Sequence, residues 1–482
     1  MKELNKIYFI SFIIIQLLIF SCQSPTEKKE QPSILFIAVD DLRPELNCFG
    51  ESQIHSPKLD ELASEGIIFT EAHCNVPVCG ASRASLLTGT RPTRYRYLNF
   101  STWAEKDYPG VLSLPNHFKN NGYYTISNGK VFHHQKDLAK SWDENWRPQM
   151  IAPGDYLLPE NIKLANTEGL RGHAYEKADV PDTAYRDGKI ALKVIRDLRR
   201  LKNMDKPFFL ACGFMKPHLP FNAPTKYWDL YNENDIKLPA NRFAPEDAPA
   251  AALHNFGELR DYSGIPKKGQ VSDSLARTLI HGYYACVSYV DQMIGWILDE
   301  LKALELEENT IVILWGDHGW NLMEHGLWCK HCNFRTSLRS PLMLRIPGLT
   351  DGKRSDALVE YIDIYPTLCE LAGLELPDHL EGKSFVPLLE NPGMKWKDFV
   401  ICKFKDGLTI KTKNYAYTEW SKNDSAVYAR MMYNHIVDLE ENTNISEREA
   451  NQQRVENLSI MLRNNRGDDF NMPTADKESD KK

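Results

Sequence analysis

One stretch of the chain carries residues whose types and spacing could do chemistry together. It reads Val76-Pro77-Val78-Cys79-Gly80-Ala81-Ser82-Arg83, followed closely by Leu87-Thr88-Gly89. Gly80 and Ala81 let a neighbouring backbone approach closely. From Ser82 onward the residues read as the opening turn of a helix. A thiol at such a terminus lies beside unpaired N–H donors and the positive end of the helix dipole, which together make an anion site. Arg83 adds a planar cation whose forked donors suit a tetrahedral oxyanion. Against this stands the commoner fate of a free cysteine, which is to be small, buried and inert.

Acidic, basic and imidazole residues recur at a second kind of place, just after apolar runs. Ile34 to Val39 is continuous, apolar and β-branched, reads as a buried parallel strand, and ends in Asp40 and Asp41. Tyr123 to Ser127 leads to Lys130 and His133, Pro207 to Cys212 to Lys216 and His218, and Thr310 to Trp315 to Asp317 and His318. Open α/β sheets bind ligands beyond the carboxyl ends of their strands. A lone Asp-Asp is more often a turn or a cap, and a lone His is more often structural. Repetition after four strands points to one shared site. Asp40, Asp41 and Asp317 offer hard oxygens and His318 an imidazole, a set that favours calcium or magnesium over zinc. A cation there would screen an anionic group and polarise one of its oxygens.

The elements that must position these residues follow from periodicity. Helical spacing of apolar residues covers Ala184 to Leu201 and Leu279 to Leu304, and Leu59 to Gly66 ends on a helix-stopping glycine. Strands alternating with helices predict an α/β fold with a mostly parallel sheet. Residues 141–181 and 239–269 lack clear periodicity and read as binding loops or lids. From about residue 395 the pattern changes to short strand-like runs, Phe399 to Phe404, Gly407 to Thr412 and Tyr415 to Trp420, which predict a smaller α+β subdomain. The expected layout is a main domain over 33–394, the subdomain over 395–463 and a polar tail over 464–482.

Whole-chain properties narrow the class. The 482 residues are 42% hydrophobic and 26% charged, so the bulk is globular. A net charge of -7 argues against a nucleic-acid partner, which usually calls for a basic footprint. An anionic sugar is still admitted, because a pocket can be basic on an acidic protein. The N-terminus reads as a targeting segment. Ile7 to Phe20 is apolar but short for a membrane span, and Ile19-Phe20-Ser21-Cys22 is similar to a bacterial lipobox. Residues 1–21 would then be a lipoprotein signal, Cys22 the lipidated anchor and 22–32 a tether. A plain secretory signal cut nearby is the alternative. Either reading places the protein outside the cytoplasm, in the periplasm or at the cell surface. Of the ten cysteines, Cys329 and Cys332 form a lone C-x-x-C without the second pair a zinc knuckle needs, so they read as structural or as a disulfide.

The Cys79 signature, C-x-A-S-R followed by T-G, resembles that of the type I sulfatases, with Ala81 in place of the more usual proline. Further stretches narrow the resemblance to the iduronate-2-sulfatase-like branch: L-F-I-A-V-D-D-L-R-P, N-G-K-V-F-H, F-M-K-P-H-L-P-F, G-D-H-G-W and E-H-G-L-W-C-K. The match covers roughly residues 33–389. It implies an alkaline-phosphatase/sulfatase-like fold, with Cys79 oxidised by a separate maturing enzyme to formylglycine, whose hydrated aldehyde is the nucleophile. It further implies one calcium ion held by Asp40, Asp41, Asp317, His318 and the modified Cys79. Arg83 and Lys130 would orient formylglycine and sulfate, and His133 would be the base that breaks the sulfated intermediate. His218 and Lys330 would contact the ester and protonate the leaving alcohol. Trp320, Arg335 and Arg339 would meet the sugar, although the two arginines read equally as internal salt-bridge partners. The implied substrate is a sulfated uronate-containing glycan. Another sulfated sugar, as in the algal polysaccharide ulvan, is the nearest alternative. A phosphatase or phosphonate hydrolase of the same fold, or a non-catalytic glycan binder, stands further off.

Overall fold

The computed structural model describes residues 31–150, 152–422 and 426–466. The expected signal segment, Cys22, the tether up to residue 30 and the polar tail from residue 467 lie outside the described residues.

Eight strands form the central sheet: β1 (Ser33–Asp40), β2 (Ile67–His73), β3 (Tyr124–Gly129), β4 (Glu144–Trp146), β5 (Phe208–Pro217), β6 (Thr310–Gly316), β7 (Leu342–Arg345) and β8 (Lys353–Glu360). Their spatial order is β8-β2-β7-β6-β1-β5-β3-β4. Strands β6, β1, β5 and β3 are adjacent and mutually parallel, with Ile34 opposite both Phe209 and Ile311, and Thr125 also opposite Phe209. The only antiparallel member is β7, which pairs with β2 and β6. All eight residues of β1 are buried. Leu35, Ile37 and Val39 join the core on one face, and Ile34, Phe36 and Ala38 the core on the other. That double burial explains the unbroken apolar run, since a strand covered on both faces has no solvent side to show.

One face is covered by α2 (Arg186–Leu201) and by the long α4 (Asp273–Ala303), both packed in the same core. The long helix begins six residues before the apolar spacing does, because the Ser272 hydroxyl accepts from Leu275 N–H and starts it on polar residues. The opposite face carries α1 (Cys79–Thr88), which ends on the left-handed Gly89. Four further strands, β9 (Phe399–Phe404), β10 (Gly407–Thr412), β11 (Tyr415–Ser421) and β12 (Val427–Asn434), form an antiparallel meander. The helix α5 (Gln452–Asn465) covers it through Leu458 and Leu462. The result is an α/β sulfatase-like fold with a smaller antiparallel α+β subdomain. Among the described residues, no helix is long and apolar enough to cross a membrane.

Candidate active site

Four adjacent parallel strands deliver their carboxyl ends to one place, and the polar residues that follow each strand meet there. Asp40 closes β1, and Asp41 turns with a φ of 60, a left-handed conformation that aspartate tolerates better than most residues. Two bonds hold that turn: Asp41 N–H donates to Asp317 Oδ1 at 2.9 Å, and the Tyr283 hydroxyl of α4 donates to Asp41 O at 2.9 Å. Asp317 follows β6 directly. His318 Nδ1 lies 2.8 Å from Gly319 O, which places a ring proton on Nδ1 and turns Nε2 inward. That Nε2 sits 3.3 Å from Asp41 Oδ1, 3.6 Å from Asp317 Oδ1 and 3.5 Å from Cys79 Sγ.

The helix that carries Cys79 starts at Cys79 itself, with Val78 as its extended N-cap, three residues earlier than the sequence pattern suggested. The thiol therefore belongs to the first turn, where the backbone N–H groups are unpaired. A Cβ on Gly80 would lie 2.6 Å from Phe100 O, so glycine is required where the loop of 99–100 crosses the helix. Burial pushes the Cys79 thiol well above its usual range, with Lys130 and Lys330 opposing. As a thiol it is a poor nucleophile. Its Sγ marks where an oxygen of a hydrated aldehyde would stand.

Three buried cations answer the three carboxylates. Arg83 is fully buried, with Nε 2.9 Å from Asp317 Oδ2, Nη2 3.1 Å from Asp40 Oδ1 and Nη1 donating to the carbonyls of Lys130 and Val131. Lys130 donates to Asp40 Oδ2. Burial alone would raise the Asp40 carboxyl, but Lys130 and Arg83 hold it well below the usual range. Lys330 Nζ lies 3.1 Å from Asp41 Oδ2, 2.9 Å from Glu258 Oε1 and 4.8 Å from the centre of the Trp320 ring. Its neighbours Cys329 and His331 both have positive φ, which turns the lysine between them inward. His218 sits at the mouth with Nε2 3.0 Å from Glu258 and 3.8 Å from Asp41, while Nδ1 faces Leu219 O. Burial disfavours the His218 charge, but Asp41 and Glu258 raise its pKa on balance. With an acceptor at each ring nitrogen, it is built to carry two protons.

Not every candidate from the sequence joins this cluster. His133 lies close to Lys130 and Asp40, and burial with the Lys130 charge lowers its pKa to about 2. Trp320 is fully buried, and its ring underlies Lys330. Arg335 pairs with Glu71 at 2.9 Å, and Arg339 lies over the Phe49 ring and 3.9 Å from the same carboxylate. Neither Glu71 nor Phe49 belongs to the Cys79 cluster. Lys216 turns away and donates to the carbonyls of His218 and Pro220. Cys329 and Cys332 are free thiols, not a disulfide, and Cys332 Sγ lies 3.0 Å from Ser337 Oγ. Glu258 and Tyr283 are the site neighbours that sequence reasoning missed. Glu258 lies in a loop without periodicity, and Tyr283 reads as one more large residue on the buried face of a long helix.

The donor set fits a hard divalent cation. Ligand atoms of Asp40, Asp41, Cys79 and His218 lie within 4.8 Å of one another, as do those of Cys79, Asp317 and His318. Three carboxylates, the lone pair of His318 and an oxygen at the Cys79 position would supply oxygen-rich ligation of the kind calcium prefers.

Comparison with known proteins agrees with this geometry. A family described as Sulfatase matches residues 32–374, and one described as N-sulphoglucosamine sulphohydrolase, C-terminal, matches residues 323–468. The chain is 34% identical over 395 residues to the iduronate 2-sulfatase of Mus musculus, covering 73% of this chain and 71% of that protein. It is 26% identical over 460 residues to an ulvan-active sulfatase of Formosa agariphila, covering 90% and 82%. Among solved structures, the phosphonate monoester hydrolase of Silicibacter pomeroyi superposes with a TM-score of 0.75 at 19% identity, over 90% of this chain and 95% of the other.

Proposed function

We propose a substrate and a set of residue roles from one premise: the chain belongs to the formylglycine-dependent (type I) sulfatases and is a sulfuric ester hydrolase of sulfated sugars. The proposed substrate is a glycan bearing 2-O-sulfate on a uronic acid at its non-reducing end. The similarity to an iduronate 2-sulfatase across 73% of the chain carries this reading. The second reading, another sulfated sugar such as those of ulvan, has a 26% identical relative behind it.

In the proposed reaction, Cys79 acts as formylglycine. Calcium, held by Asp40, Asp41, Asp317 and His318, would supply charge to polarise a sulfate oxygen and favour ionisation of the hydrated aldehyde. The cluster is charge-balanced without it, since Asp40, Asp41 and Asp317 face Arg83, Lys130 and Lys330. The two added positive charges match those of a sulfate ester and one ionised hydroxyl. Arg83 holds Asp40 and Asp317 in place, and Lys130 faces the sulfate. One oxygen of the hydrated aldehyde attacks sulfur in line while the sugar oxygen leaves and takes a proton from His218 or Lys330. His133, kept neutral by burial, then takes the proton of the second hydroxyl. The aldehyde re-forms and sulfate departs. Trp320 is proposed to act through Lys330, which rests on its ring. Arg335 and Arg339 stay outside the scheme because Glu71 engages them. Export as a lipoprotein through Cys22 belongs to the same proposal and would bring the enzyme to its polysaccharide.

The test is sulfate release from a disaccharide with 2-O-sulfo-iduronate at its non-reducing end. The protein is co-produced with a maturing enzyme, and conversion of Cys79 is checked by peptide mass. Release by the wild type and not by Cys79→Ala is the expected outcome. No release from fully converted protein would reject the 2-O-uronate position and direct the search to other sulfated sugars.

A further inference from the structure

The loop of 239–269, which had no legible periodicity, is tied down by its own residues and aims one carboxylate at the site. Within it, Gly257–Arg260 forms a short helix, α3. The Arg260 guanidinium stacks 3.9 Å from the Phe256 ring centre, donates to Asn255 O and Gly269 O at 2.7 Å each, and also donates to Pro266 O. Leu259 and Tyr262 are buried beneath the turn. His173 Nδ1 lies 3.2 Å from Ser263 O and fixes the far side. Between these anchors Glu258 projects to His218 Nε2 at 3.0 Å and to Lys330 Nζ at 2.9 Å.

The two residues it touches are the two proposed proton donors. Each has two carboxylate partners among the described residues, Asp41 and Glu258. Asp41 is one of the residues proposed to hold calcium, whereas Glu258 falls in neither group of possible ligand atoms, the first of which also contains His218. Glu258 is therefore the partner that stays available to orient both donors when the metal site is engaged. Its side chain keeps 19% exposure and that of His218 keeps 26%, so the pair lines the way in, while Lys330 lies deeper at 2%.

We propose that Glu258 is a positioning residue that holds His218 and Lys330 on the oxygen of the departing sugar, so that the loop of 239–269 governs the first half of the reaction. This inference rests on the donor roles proposed above. In that half-reaction one hydroxyl of the aldehyde hydrate, already ionised with its proton given to solvent, bonds through its oxygen to sulfur, and the bond from sulfur to the sugar oxygen breaks. The bonding pair stays on the sugar oxygen, which takes a proton from His218 or Lys330, and the donor is reprotonated from solvent. The second half, in which His133 acts and sulfate leaves, makes no use of either donor.

The two halves can be timed separately by single-turnover rapid quench, on whichever sulfated sugar the wild type hydrolyses. Desulfated sugar reports the first half, and free sulfate from the isolated sulfated enzyme reports the second. Glu258→Gln keeps the shape and loses the charge. It should slow the first half by roughly ten- to a hundredfold more than the second, the range expected for misaligned general acid catalysis. Glu258→Asp should recover part of the loss. His218→Gln and Lys330→Ala, run beside it, should show the same bias. Equal slowing of both halves by Glu258→Gln would mean a merely structural role and would overturn the inference. A bias in the His218 and Lys330 variants without one in Glu258→Gln would overturn it and leave the donor assignment standing. No bias in any of the three would remove the donor assignment and this inference with it.

Discussion

At Cys79 the chemistry depends on a residue having two hydroxyls. Serine in its place can attack sulfur but has no second proton to give up. Cys79→Ser should release one equivalent of sugar and stop as a sulfated enzyme, seen as an 80 Da gain on the peptide, about the mass of SO3. Continued turnover would reject the elimination step. His133 offers a second check. Its pKa is depressed to about 2 by burial and the Lys130 charge. For a depressed base the neutral form is present above the folded pKa, so from about pH 4 upward the ring is already unprotonated. His133→Gln should therefore lower kcat by the same factor at pH 5 and at pH 8, roughly 100-fold or more. A loss that shrinks toward low pH would show that the ring titrates near its ordinary value. Some single residues could not be read from the sequence. Arg335 reads equally as a glycan-facing cation and as a salt-bridge partner, and the partner it has, Glu71, lies 264 positions upstream, where no local pattern announces the pairing.

At the scale of elements, legibility followed burial. β1 was visible because both its faces are covered, and β9 to β11 because short alternating runs between turns have few other solutions. The sequence pattern starts the helix of Cys79 three residues late, since Cys79 and Gly80 are weak formers that outweigh Ala81 and Val78 is an unusual cap. Glu258 was invisible for the opposite reason: its loop is ordered by Arg260 bonding to carbonyls, and backbone acceptors leave no trace in sequence. Arg260→Ala tests that account. It should loosen residues 239–269 without unfolding the domain, raising their amide exchange and lowering kcat/KM by about tenfold, with little change in melting temperature. Unaltered exchange in that segment would show that Leu259 and Tyr262 suffice to hold it.

The whole molecule joins a sheet that gathers charge at one edge to a subdomain whose first strand begins at Phe399. The clustering of Asp40, Lys130, His218 and Asp317 could be anticipated because a parallel sheet puts all its carboxyl ends on one side. The distances could not, because they depend on the order β6-β1-β5-β3, which the chain does not spell out. Charge balance within the cluster makes a prediction about the metal. Removing it with a chelator leaves Lys330 to pair with Asp41 and Lys130 with Asp40. Sulfatase activity should fall at least 100-fold and return with calcium, while the melting temperature drops by only a few degrees, about the linkage expected of one ion. Global unfolding on chelation would show that the cations do not replace the metal.

The crossing of Phe100 over Gly80 has a consequence for the order of events in the life of the chain. Cys79 is only 3% exposed, and a Cβ at Gly80 would lie 2.6 Å from a backbone oxygen of that loop. The proposed maturing enzyme, if it grips residues on either side of the thiol, would find no room to do so once this loop has closed. On that proposal, conversion of Cys79 would come before the fold is complete, while 76–89 is still an open strand of polypeptide. A molecule that folded first would then be locked out of activity however well it is made, and the yield of working enzyme would be decided by a race between oxidation and folding.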